Sequence, residues 1–143
     1  MKKISIIGFG AITRIMLEKL LEHDSKKNIV VDYILVRKNR LCAATEELAD
    51  NIKVSTSIDQ LIQNKPDLIV ECAGQNAVRE YGSEILNSGI NFMIISTGAL
   101  AEENLYNNLI VKAKNNNSKI IIPSGAIAGI DGLGALKKGG IKH

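Results

Sequence analysis

The chain has 143 residues, 45% of them apolar and 23% charged, and carries a net charge of +3, which suits one soluble globular domain. Aromatic residues make up 3% and Trp is absent, so the core must be aliphatic, and stacking platforms for single-stranded nucleic acid are lacking. The basic residues are scattered apart from a short run at Arg37, Lys38 and Arg40, too little for an electrostatic footprint on duplex nucleic acid.

The N-terminus imitates a secretory leader, with Met1-Lys2-Lys3 ahead of Ile4-Ser5-Ile6-Ile7. The apolar stretch is interrupted by Gly8 and Gly10 and closed by Arg14, with no small-residue cleavage pattern after it, so a leader is not the reading. No apolar run approaches the ~20 residues needed to span a bilayer. Cys42 and Cys72 form neither a disulfide framework nor a zinc-ligand set, no metal signature is seen, and reduced thiols fit a cytoplasmic protein.

Along the chain, short β-branched runs predict strands over residues 3–7, 30–36, 54–55, 68–71, 92–96 and 120–122. Continuous apolar runs such as Ile120-Ile121-Ile122 suit strands covered on both faces. Between them, Ile12, Ile15, Met16 and Leu20 recur at helical spacing. Further helices are predicted over 42–50, 58–63, 77–87 and 102–115, with Asn115-Asn116-Asn117 as a stop. This alternation predicts an α/β fold: a doubly wound parallel sheet of Rossmann type. A last helix is expected over 131–138, ending at Gly139-Gly140. Residues 131–143 then read as the start of a connection to a second domain that is absent, with residues 1–143 as the first domain.

Gly8-Phe9-Gly10-Ala11-Ile12-Thr13 sits between the first strand and the first helix. There the first Gly permits a tight turn, the second lets backbone approach a pyrophosphate, and the helix start offers free N–H groups. Thr13 stands where the pattern wants Gly or Ala, so the helix is expected slightly further from the strand. The second strand ends in Val36-Arg37-Lys38 rather than in the acidic residue that binds ribose hydroxyls. Arg37 and Lys38 either meet a 2′-phosphate, favouring NADP or dual use, or are a solvated pair. Asp32 lies early in that strand and reads as a solvated carboxylate. At the fourth strand's end, Glu71-Cys72-Ala73-Gly74 leaves room for ribose and nicotinamide. Cys72 fits a small buried role better than a nucleophile, and Glu71 either orients a hydroxyl or caps a helix. Ser124-Gly125-Ala126 follows the last strand and allows close backbone approach to a ligand.

Three segments together resemble the L-aspartate dehydrogenase family, itself related to the nucleotide-binding part of homoserine dehydrogenases. They are Ile7-Gly8-Phe9-Gly10-Ala11-Ile12, the run from Asp67 through Leu68, Ile69, Val70, Glu71, Cys72 and Ala73 to Gly74, and the run from Pro123 to Asp131. Ser96-Thr97-Gly98-Ala99-Leu100 fits the same family's fifth-strand exit. The residue reading and the resemblance together give an NAD or NADP cofactor expected at Gly8, Phe9, Gly10, Ala11, Ile12, Arg37, Cys72, Ala73, Ser124, Gly125 and Ala126, and the resemblance implies that Ala126 lies near the nicotinamide. It implies oxidation of L-aspartate to iminoaspartate, which hydrolyses to oxaloacetate and ammonia or feeds NAD biosynthesis. The family's catalytic His belongs to its second domain. His23 ends the first helix, about 18 Å from its start, and His143 is terminal, so no catalytic residue is expected here and the isolated chain should turn over aspartate poorly or not at all. Full-length relatives dimerise largely through the other half, which leaves a homodimer open. Two other readings stay open: a non-catalytic dinucleotide-sensing module, and a fragment of a homoserine dehydrogenase-like oxidoreductase.

Overall fold

The computed structural model describes residues 1–22 and 28–124. Six strands, β1 (Lys2–Ile7), β2 (Ile29–Leu35), β3 (Lys53–Ser55), β4 (Leu68–Glu71), β5 (Asn91–Ile94) and β6 (Ile120–Ile121), alternate with five helices. These are α1 (Ala11–Glu22), α2 (Leu41–Glu47), α3 (Ile58–Gln63), α4 (Gln75–Asn87) and α5 (Glu103–Asn115). All neighbouring strands are parallel, in the order β3-β2-β1-β4-β5-β6. A parallel pair cannot be joined by a tight hairpin, so each return crosses a face of the sheet. The chain winds outward from β1 to one edge, then restarts beside β1 at β4. That restart is the topological switch point where ligands of such sheets bind.

The two-residue period of the strands sorts their side chains onto two cores. Ile6 and Ile34 face one layer with Ala44 of α2, joined by Met16 and Leu17 of α1. Ile7 and Leu35 face the other, with Leu61 of α3, Val78, Ile85 and Leu86 of α4, and Leu109 of α5. Phe92, the largest fully buried side chain, belongs to this second and larger layer. The aliphatic core expected from composition is thus divided by the sheet, as a doubly wound fold requires. Among the described residues no helix is long and apolar enough to cross a membrane.

Three local departures from the sequence reading have physical causes. The second helix ends at Glu47 rather than at residue 50, because Leu48 turns extended and packs into the smaller core with Ile52. The fifth strand ends at Ile94 rather than at residue 96, and a 3₁₀ turn spans Thr97–Ala101, since the Glu71 carboxylate takes the Ser96 N–H. Asp32 is not a solvated carboxylate. It is the extra residue where the register between β1 and β2 shifts, Ile4 pairing with Val31 and Ser5 with Tyr33. Half-buried there, it accepts hydrogen bonds from Ser5 Oγ at 3.1 Å and from Asn64 Nδ2. It ties the central strands to the end of α3. The helix expected over 131–138, the connection over 131–143, and His23 and His143 lie outside the described residues.

A candidate dinucleotide site at the carboxyl edge of the sheet

Gly8 leaves β1 with φ near +100°, a conformation L side chains rarely adopt. Its N–H donates to the Leu35 carbonyl at 2.8 Å. A Cβ at this position would lie 2.8 Å from the Cys72 carbonyl oxygen and 3.0 Å from the Ala73 Cα, so only glycine lets the β1 exit pass the β4 exit. Thr13, expected to hold the helix off, is fully buried, and its hydroxyl donates to the Gly8 carbonyl at 2.9 Å. The residue that breaks the glycine pattern closes the turn from within.

The first intrahelical bond of α1 runs from Arg14 N–H to the Gly10 carbonyl at 3.1 Å. The preceding N–H groups, through Thr13, therefore have no carbonyl one turn back and, with the helix dipole, favour an anion. A Cβ on Gly10 would meet nothing within 4 Å. The two glycines thus do different work: the space beside Gly8 is filled by protein, whereas that beside Gly10 is open to a ligand.

The open space continues as a cleft of about 640 Å³. One wall is Val36, Arg37, Lys38, Asn39 and Arg40, and the floor is Gly8, Phe9, Gly10, Cys72 and Ala73. Thr56, Glu80 and Tyr81 complete it. Burial and then a hydrogen bond with Glu80 push the Tyr81 hydroxyl up to about 12, with Arg37 opposing, so the phenol remains protonated. Burial raises the Cys72 thiol, a hydrogen bond with Thr13 opposes this, and the Glu71 charge adds to the rise. Cys72 is thus a lining thiol rather than an activated nucleophile. Phe9 stacks under the Arg14 guanidinium at 4.5 Å, and Arg14 pairs with Glu47 at 2.6 Å. That stack separates the cleft from a hollow of about 440 Å³ lined largely by aliphatic chains such as Leu17, Leu20, Val31 and Ile52. The hollow lies off the switch point, and Arg14 and Glu47 of its lining are engaged with each other.

Glu71 ends β4 as a fully buried carboxylate. Its Oε1 accepts from Ala73 N–H and Gly74 N–H, each at 2.7 Å, and from Ser96 Oγ at 3.0 Å. Its Oε2 accepts from Ser96 N–H at 2.9 Å. Of the two roles open from sequence, the carboxylate orients a hydroxyl, that of Ser96, whereas its other bonds go to Ala73 and Gly74 ahead of α4 rather than to the first turn of the helix.

Of the residues expected to hold a cofactor, Gly8, Phe9, Gly10, Arg37, Cys72 and Ala73 come together in the cleft. Ala11 and Ile12 are exposed on the first turn of α1, at its rim rather than in its lining. Ser124 is exposed three residues beyond β6, and Gly125 and Ala126 lie outside the described residues. Thr56, Glu80 and Tyr81 escaped the sequence reading. No motif marks them, because they meet Arg37 only through the packing of β3 and α4.

A parallel sheet in this order, with a glycine corner and a free helix start at its switch point, defines a Rossmann-type dinucleotide-binding domain. Residues 8–123 match the family of homoserine dehydrogenase NAD-binding domains, and the chain belongs to that family; its dinucleotide is NAD or NADP. It is 38% identical over 141 residues to an L-aspartate dehydrogenase of Psychrobacter cryohalolentis and 36% identical over 141 residues to one of Serratia proteamaculans. Each match takes in 99% of this chain and 51% of the relative. The solved aspartate dehydrogenase of Thermotoga maritima superposes with a TM-score of 0.66 at 29% identity, over 96% of this chain and 52% of that one. The chain spans about half the length of the curated relatives it matches. The resemblance read from the three segments is borne out.

Proposed function

We propose that this chain is the NAD(P)-binding half of a cytoplasmic L-aspartate dehydrogenase. The observation that carries the cofactor half of the reading is the Gly8–Gly10 corner, blocked on one side and open on the other at the head of a cleft with a basic wall. The aspartate half rests on the likeness to the two bacterial relatives. In this reading residues 1–143 are the dinucleotide-binding domain. The α1 start receives the pyrophosphate, Cys72 and Ala73 border the central part of the cofactor, and the family likeness assigns Ser124, Gly125 and Ala126 to its nicotinamide end. When bound, the nicotinamide accepts the hydride that leaves the substrate carbon. L-Aspartate and NAD(P)⁺ would then yield iminoaspartate, NAD(P)H and a proton, in the service of NAD biosynthesis.

The wall formed by Arg37, Lys38 and Arg40 has the chemistry for a 2′-phosphate, and no carboxylate stands at the end of β2 to bind ribose hydroxyls. NADP is therefore the better fit for the adenosine end. Titration of the 143-residue chain with NADPH and NADH, followed by nicotinamide fluorescence, tests both levels. Saturable binding of both, tighter for NADPH at low salt, is expected. No binding of either would overturn the cofactor assignment, and equal affinities would overturn the phosphate role alone.

A further inference from the structure

We infer that Glu71 is a positioning residue that sets the nicotinamide half of the cofactor site; this rests on the dinucleotide reading above. A dinucleotide straddles the switch point between β1 and β4. Its adenosine half falls on the side with the basic wall, over β2 and β3. The other half must then lie over the exits of β4 and β5. Those two exits are held by one side chain. Ala73 and Gly74 N–H come from the segment between β4 and α4, and Ser96 N–H and Oγ come from the segment after β5.

A fully buried carboxylate at the end of an apolar strand carries a large desolvation penalty unless its oxygens are satisfied. Here four donors converge on two oxygens that offer about four acceptor sites. The match is specific to a carboxylate. A glutamine of the same size has one acceptor oxygen, and its NH₂ would face backbone N–H groups that can only donate. The exits would then separate or rotate, while the bond from Gly8 N–H to Leu35, the Gly10 end of the corner and the basic wall do not depend on Glu71. Glu71 does not itself line the cleft and meets it through the N–H of Ala73, so it acts through the backbone it holds.

Calorimetry on the 143-residue chain distinguishes this role from general support of the fold, using NADH and ADP-ribose, which lacks the nicotinamide. Glu71→Gln is expected to weaken NADH about tenfold or more, one backbone hydrogen bond being roughly that large an effect. ADP-ribose affinity should move by less than about twofold. The blue shift of bound NADH fluorescence should shrink in parallel, which a merely structural loss would not produce at saturating ligand. Ser96→Ala removes one donor and keeps the backbone bonds, so it should act in the same direction by about two- to threefold even if Glu71→Gln does not fold. Equal losses for both ligands, or no loss for NADH in either variant, overturn the inference while leaving the dinucleotide reading intact. Failure of the unaltered chain to bind either ligand overturns both.

Discussion

The two sides of the switch point recognise in different ways. Over β1, β2 and β3 the edge is open: Arg37, Lys38, Asn39 and Arg40 are exposed, and the space beside Gly10 is empty of protein. Over β4 and β5 the edge is closed on itself, with a buried carboxylate drawing in backbone from both exits. Exposed cations on a turn can be exchanged with little effect on the fold. A satisfied buried network cannot, because losing one member strands the others. Cofactor preference is therefore adjustable on the first side, and cofactor geometry is held constant by the second.

The largest effect should come from joining the sides by force. Gly8→Ala places a Cβ against the β4 exit at a φ that alanine resists, and we expect a loss on the order of 3 kcal/mol. That corresponds to roughly 10 °C in melting temperature for a domain of this size. A melt unchanged from the parent would mean that the two exits do not cross as described. Next, Arg37→Asp should weaken NADPH by roughly ten- to a hundredfold, the scale of a charge-assisted contact. NADH should change little, and parallel titrations read the difference.

Gly10→Ala sharpens the contrast between the glycines. Its Cβ meets no protein atom, so the melting temperature should stay within about 2 °C, while dinucleotide affinity falls about tenfold because ligand must occupy that space. Thiol labelling compares the sides kinetically. Exposed Cys42 should react with a maleimide at least about ten times faster than Cys72, whose thiol burial raises. A fast-reacting Cys72 would reopen the nucleophile reading.

The smallest effect belongs to the exposed Arg14–Glu47 pair beneath the cleft. The Arg14 hydrogen bond lowers the Glu47 carboxyl below its ordinary value. A depressed carboxylate adds stability above its unfolded pKa and loses it as pH falls through the folded one. Glu47→Gln should therefore melt no more than about 1 °C below the parent at pH 7, and the gap should close below the normal carboxylate range. It should also close in 1 M salt.

Much of the frame was legible because it is local. The bounds predicted for β4 and α3 agree with those observed, residues 68–71 and 58–63, since each is a compact run with clear punctuation. The glycine corner was legible because two constraints, a left-handed turn and free space, act on neighbouring residues. The role of Thr13 was not, since a hydroxyl that closes a turn looks in sequence like a side chain too large for its place.

Composition and periodicity by themselves determined an aliphatic, doubly wound α/β domain and the corner at which its first helix begins. Only the tertiary structure decided that Asp32 is a bulge carboxylate reaching Asn64, that Tyr81 and Thr56 share a cleft with Arg37, and that Glu71 binds Ser96. The physical reason is range. Backbone periodicity is set by neighbours along the chain, whereas the Glu71 carboxylate takes two of its four donors from Ser96, 25 positions away, which becomes its neighbour only when parallel strands align.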